Sequence, residues 1–266
     1  MRIKDILFNA HVYSIITILL VRLGMKNNIL ILFVSLLFVS CQSAPEPADA
    51  VEPPVAEELS LRPNPQHAEE DNGIVPADWH VRLDSPDPST VISADPDSSD
   101  IYFTTMTPGW HVTTGPAGIF YHPNSTAEGT FEASLAVHLF DPGERKEAFG
   151  MIIGGKNLDA ENQTYDYFLI RNSGEFLIKR RTGAETSMLH EWTANDAIVR
   201  YTDAAESSVL NKMAVKAEDS EVIFMINDVE VARLPKDEVQ TEGIVGLRVN
   251  HALNLHISDI QVNEIG

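Results

Sequence analysis

The chain reads as an all-β protein whose C-terminal part, about 190 residues, folds as two packed antiparallel sheets around one core. Three observations carry this. Apolar side chains recur every second residue along Phe131–Leu139, turn residues punctuate the sequence about every ten positions, and long amphipathic helices are missing. In the first segment Phe131, Ala133, Leu135, Val137 and Leu139 share one face, opposite Glu132, Ser134 and His138. Tyr165–Arg171 and Glu175–Arg180 are two β-rich runs joined by Asn172-Ser173-Gly174, where Gly174 can take positive φ. A second hairpin is expected where Glu221–Ile226 meets Val229–Leu234 across Asn227-Asp228. Ile244–Val249 and Leu253–Val262 supply two more strands. The only helical candidates are short, at 195–205 and 235–239, and at least one of them reads as a loop decoration.

The N-terminal region belongs to a different regime. Met25-Lys26-Asn27-Asn28 is a short basic start, and Ile29–Val39 is an apolar run of 11 residues, the length of a signal-peptide core and too short for a stable bilayer span. Phe38-Val39-Ser40-Cys41 resembles the lipobox of bacterial lipoproteins, with Phe38 where leucine is usual. The resemblance implies that Cys41 is lipidated and becomes the mature N-terminus. Acyl chains contribute about 0.8 kcal/mol per buried CH2, enough for several of them to hold a domain on a membrane without a transmembrane helix. Residues 1–24, with their own apolar patch at Tyr13–Val21, are expected to lie upstream of the true start. Cys41 is the single cysteine, so the core must stabilise the protein without disulfides.

The organisation is therefore a signal segment over 1–40, a lipidated Cys41 with a disordered tether over 41–73, and a β-sandwich over 74–266. The tether carries Pro45, Pro47, Pro53, Pro54, Pro63 and Pro65, and Arg62 is its only basic side chain. Few apolar groups and many like charges cannot offset the entropy of ordering. Residues 1–40 contain Arg2, Lys4, Arg22, Lys26 and Asp5, so their removal leaves 15 basic and 38 acidic side chains, a formal charge of −23. Nucleic acid is excluded as a partner, because phosphate binding needs a basic surface.

Four segments, Gly109–Ala117, Gly154–Leu158, Tyr165–Arg171 and Gly243–His251, resemble bacterial concanavalin A-like sandwiches in their order along the chain. They are most similar to relatives of the 3-keto-disaccharide hydrolase-like family. That resemblance implies a jelly-roll sandwich with a carbohydrate-related role. The strand motif and the acidic motif of the hydrolase members are absent, as is the Glu-x-Asp-x-x-Glu strand of concanavalin A-like glucanases, which places an acid and a nucleophile about 5 Å apart.

The candidate site residues are drawn from histidines and aromatics. Trp110 and His111 are adjacent in a strand, so they point to opposite faces, and Tyr121-His122 repeats the arrangement. Convergence of His111, His122, His138 and His251 on one sheet would supply an acid, a base or hydrogen bonds to sugar hydroxyls. Each histidine taken alone more often has a structural or surface role, and no spacing demands a metal or a cofactor. Trp110, Tyr121, Tyr165, Tyr167 and Trp192 can each present a ring to the C–H face of a pyranose, or else fill the core. Arg171, Lys179, Arg180 and Arg248 could grip an acidic sugar, although pairing with nearby Asp and Glu is the commoner outcome. Asp84, Asp87, Asp95, Asp97 and Asp100 lie in an oxygen-rich segment that lacks calcium-loop order.

The expected function is thus an envelope lipoprotein whose sandwich binds carbohydrate or a related envelope polymer without necessarily cutting it. Trp110, His111, Tyr121, His122 and Asn250 are the expected ligand-binding residues. Two alternatives stand beside it: a glycoside-processing hydrolase with His111 or His122 as general base, and a protein-binding adhesion or scaffold module.

Overall fold

The computed structural model of the chain describes residues 74–202 and 207–265. Cys41, the apolar run before it and the tether lie outside the described residues. Among those described, no helix is long and apolar enough to cross a membrane.

Fifteen strands make up the described chain: β1 (His80–Leu83), β2 (Ile92–Ser93), β3 (Ile101–Thr105), β4 (Trp110–Thr114), β5 (Gly118–Ala127), β6 (Phe131–Phe140), β7 (Ala148–Lys156), β8 (Thr164–Arg171), β9 (Glu175–Thr182), β10 (Glu185–Ala194), β11 (Ser208–Ala217), β12 (Glu221–Ile226), β13 (Val229–Pro235), β14 (Gly243–Val249) and β15 (Asn254–Glu264). They form a seven-stranded sheet, β1-β5-β14-β7-β8-β9-β10, and an eight-stranded sheet, β13-β12-β11-β6-β15-β4-β3-β2. The chain passes between the layers at β1–β2, β4–β5, β5–β6, β6–β7, β10–β11, β13–β14 and β14–β15, the crossing pattern of a jelly-roll sandwich. Pairing is antiparallel throughout except for one short edge contact, in which β2 runs parallel to β3 with Ile92 beside Ile101. The two antiparallel sheets expected from sequence are otherwise present.

The alternation read from Phe131–Leu139 is the core face of β6, and all five apolar residues are buried. Opposite them the seven-stranded sheet presents Phe120, Phe149, Met151, Phe168, Phe176, Val245 and Leu247 to the same core. Phe168 stands edge-on to Phe176 at 6.1 Å and to Phe224 of the other sheet at 5.3 Å, so aromatic contacts link the two layers.

Both expected hairpins form. Gly174 takes φ +84° between β8 and β9, and Asn227 and Asp228 take φ +48° and +65° between β12 and β13, as a turn with both central residues left-handed requires. The segment at 195–202 is not helical. Asn211 is buried and holds it extended: its amide donates to Val199 O at 2.8 Å, and its Oδ1 accepts from Val199 N at 2.9 Å. Side-chain amides that pair the backbone in this way compete with helix formation. The other helical candidate shrinks to a single 3-10 turn, Lys236–Glu238. At the margin of the seven-stranded sheet β10 slips register twice, between Met188 and His190 and again before Thr193.

Candidate functional site

The outer face of the seven-stranded sheet can be read row by row from its register. One row crosses all seven strands: His80, Tyr121, Gly246, Ile152, Tyr167, Lys179 and Met188. A second runs Arg82, Ile119, Arg248, Gly150, Leu169 and Leu177, and Tyr165 lies beside Arg181 in a third. Gly246 is required there, since a Cβ would come within 2.6 Å of Phe120 O and 2.9 Å of the Tyr121 Cβ.

This face is strongly concave. Asp84 follows β1 at one margin, and Arg181 sits on β9, five strands away in the sheet order. Adjacent strands are about 4.8 Å apart, so a flat sheet would separate them by about 24 Å. Instead Arg181 Nη1 lies 3.6 Å from Asp84 Oδ1. Arg248 grips the same carboxylate through both terminal nitrogens, Nη1 to Oδ1 at 2.6 Å and Nη2 to Oδ2, while its Nε donates to Asn250 Oδ1 at 3.0 Å. Arg82 donates to Leu158 O at 2.8 Å from the loop after β7, and its Nε is buried with no hydrogen-bond partner among the described residues. Tyr121 donates to Asp159 Oδ1 of the same loop.

Aromatic surface lines the concavity. Tyr121 and Tyr165 are buried, whereas Tyr167 and Trp192 keep part of their rings exposed. Tyr165 and Tyr167 are 5.7 Å apart, and the Arg171 guanidinium lies 4.0 Å over the Trp192 ring while pairing with Glu175 at 2.7 Å.

Burial pushes the Tyr167 phenol up to about 12, with Arg248 and Arg181 opposing the rise, and burial raises Tyr165 against the same arginines. Burial alone would also raise Asp84. The hydrogen bonds and charge of Arg248, with the charges of Arg181 and His251, outweigh it and hold the carboxyl below its ordinary 3.8. A depressed carboxyl stabilises the fold above its unfolded pKa, and that contribution is lost as pH falls through the folded value. The urea midpoint of the wild type should therefore exceed that of Asp84→Asn by a margin that shrinks between about pH 6 and about pH 3. A margin constant with pH would show that the pair contributes nothing.

The five expected ligand-binding residues do not come together. Tyr121 and Asn250 reach the concave face. Trp110 instead packs against Trp79 at 4.8 Å beside the core, and His122 lies near the same Trp79 ring, accepting from Asn124 N at its Nδ1. His111 is buried on the outer face of the other sheet, where its Nε2 donates to Asn254 Oδ1 at 2.6 Å. It heads a row of three histidines on adjacent strands, His111, His256 and His138, with ring centroids 6.2 and 5.8 Å apart. His251 lies near Asp84 instead, so the four histidines whose convergence was considered from sequence do not meet, and the middle member of this row, His256, the sequence reading missed.

Three of the four conspicuous cations pair as the commoner reading expects: Arg171 with Glu175, Arg180 with the fully buried Asp166 at 2.7 Å, and Arg248 with Asp84. Arg82 and Arg181 were not singled out in the sequence. The polar alternation of His80, Arg82 and Asp84 and of Lys179 and Arg181 is the one signal that could have found them, and in the fold Arg82 is the register partner of Ile119 and Arg181 that of Tyr165. Three of the other acidic side chains of the 84–100 segment serve its own turns, Asp87 accepting from Ser89, Asp95 from Asp97 N and Ser98, and Asp100 from Val91 N. Among the described residues no group of three or more His, Cys, Asp or Glu side chains is arranged to hold a metal ion.

No family model and no curated protein matches the chain. Among solved structures it is similar to the carbohydrate-binding module CBM66 from Bacillus subtilis, with 14% identity and a TM-score of 0.48 over 62% of this chain and 92% of that one. It is also similar to a Bacillus subtilis protein of unknown function with a galectin-like fold, at 11% identity and a TM-score of 0.45 over 77% of this chain and 93% of that one. Sheep galectin-11 in complex with glycerol aligns at 8% identity and a TM-score of 0.39, over 52% of this chain and 92% of that one.

Proposed function

We propose that the concave face of the seven-stranded sheet binds a carbohydrate without cutting it, on a protein held to a bacterial envelope membrane by lipid on Cys41. The observation that carries this reading is the grouping of open ring surface, Tyr167 and Trp192, with the planar hydrogen-bonding groups of Arg248, Arg181, Asp84 and Asn250 on one curved face. A pyranose offers both an apolar C–H face and directional hydroxyls, and sites of this type answer both. A charge pair this buried is weak support for stability, so its place on an outer face is better explained by recognition.

The carboxylates of this face favour binding over cleavage. Most glycoside hydrolases pair an acid of raised pKa with a second carboxylate. Asp84 is shifted the opposite way and tied to two arginines, and Asp159 is engaged by Tyr121.

On a glycan array the full chain should retain an oligosaccharide, and Tyr167→Ala should weaken that binding about tenfold or more, the loss of a stacked ring and its area. An array on which nothing is retained ends the carbohydrate reading. Sugar released into the same mixtures would replace binding with turnover and favour the hydrolase alternative. For the anchor, Cys41→Ser should move the protein from the membrane pellet to the soluble fraction, since the acyl chains are its membrane affinity. Sedimentation unchanged by the substitution would remove the lipid.

A further inference from the structure

We infer that the carbohydrate is an acidic one, a uronate, whose carboxylate takes the position on Arg248 and Arg181 that Asp84 now fills. This rests on the carbohydrate reading of the same face. The protein already displays carboxylate recognition there: Asp84 is held by both terminal nitrogens of Arg248 and approached by Arg181. Such a two-pronged grip matches the plane and spacing of a carboxylate and discriminates against a hydroxymethyl group.

The charge balance points the same way. In a chain of formal charge −20, three guanidinium groups, Arg82, Arg181 and Arg248, reach into one concavity against one shared carboxylate, Asp84, and the Asp159 that Tyr121 holds. Arg82 keeps a buried Nε donor with no partner among the described residues. The Asp84 side chain is 31% exposed whereas that of Arg248 is 10% exposed, so the carboxylate is the partner that can leave while the arginine stays in place. Asp84 lies just outside β1, where its backbone N–H donates to Ala117 O at 3.0 Å, so its side chain can rotate away while that backbone pairing stays in place. The residue thus acts as a resident stand-in, keeping the arginines aligned and their charge compensated until an acidic sugar replaces it.

The test uses the full chain, its Asp84→Ala variant and its Arg181→Gln variant, titrated with oligogalacturonate and with the same oligomer after its carboxyl groups are reduced to alcohols. The wild type should bind the uronate at least about tenfold tighter than the reduced oligomer at low salt, with the preference shrinking as salt rises. Asp84→Ala should widen that preference and Arg181→Gln should narrow it. Thermal melting of each variant with and without sugar provides a readout that survives a loss of stability, because a ligand bound to the folded state raises the melting temperature. Equal binding of the two oligomers by the wild type, or a preference untouched by both substitutions, overturns the uronate while leaving the carbohydrate reading standing. A result in which neither oligomer binds overturns the uronate, and an empty glycan array beside it overturns the carbohydrate reading as well.

Discussion

Phe168→Ala should cost about 3–5 kcal/mol, a large part of the roughly 5–15 kcal/mol that holds a typical domain together. The ring is fully buried and makes edge-on contacts to Phe176 within its own sheet and to Phe224 across the sandwich. Deleting it removes its own transfer free energy and also leaves a void between two layers whose backbones are fixed by their ladders and cannot collapse to fill it. Urea denaturation followed by tryptophan fluorescence measures the loss as a fall in midpoint at unchanged slope. Phe168→Leu should recover more than half of it. A midpoint shift equal to that of an exposed control such as Val229→Ala would mean that the two sheets do not meet here.

Arg248→Leu should abolish sugar binding and destabilise the fold together. Its guanidinium is the hub of the concave face, holding Asp84 and Asn250 at once. Without it Asp84 keeps only the more distant Arg181, at 3.6 Å, and the field of His251, in a half-desolvated position. Stranding a buried charge costs about 3–5 kcal/mol, and less here because Asp84 stays partly in water. The double variant Arg248→Leu with Asp84→Leu separates the two effects, since replacing a whole ion pair by apolar groups is often neutral or stabilising. It should melt near the wild type and still bind no sugar. Binding retained by a folded double variant would place the ligand elsewhere, and binding lost only in proportion to unfolding would make Arg248 purely structural.

Where the sequence could be read, it was read through period and punctuation. β6, the β8–β9 and β12–β13 hairpins and the last two strands each carry an alternating apolar face or a turn with a positive φ. β7 gave no such signal because nearly all of it is buried on both faces, which erases alternation. β10 was hidden by its register slips and its mostly exposed surface. The site was legible in composition and not in placement. The candidate residues Tyr121, Tyr165, Tyr167, Trp192, Arg171, Arg248 and Asn250 do gather on one sheet, while Trp110, His111 and His122 go elsewhere. Alternation says that neighbours point apart, but it does not say which sheet a strand joins or whether its second face is core or groove. Asp84 and Arg181 could not have been paired from their positions in the chain, because their approach depends on the curl of a whole sheet.

The paired slips in β10 have a consequence for how these molecules behave when crowded. An outermost strand that advertises a straight run of free amides and carbonyls invites a neighbour to zip onto it, and the misaligned stretch around His190 offers no such run. The opposite margins are short, four residues in β1 and two in β2, and β13 ends in Pro235, so each limits how long a foreign strand can remain attached. Densely packed copies should therefore stay individually dispersed rather than join edge to edge into fibres.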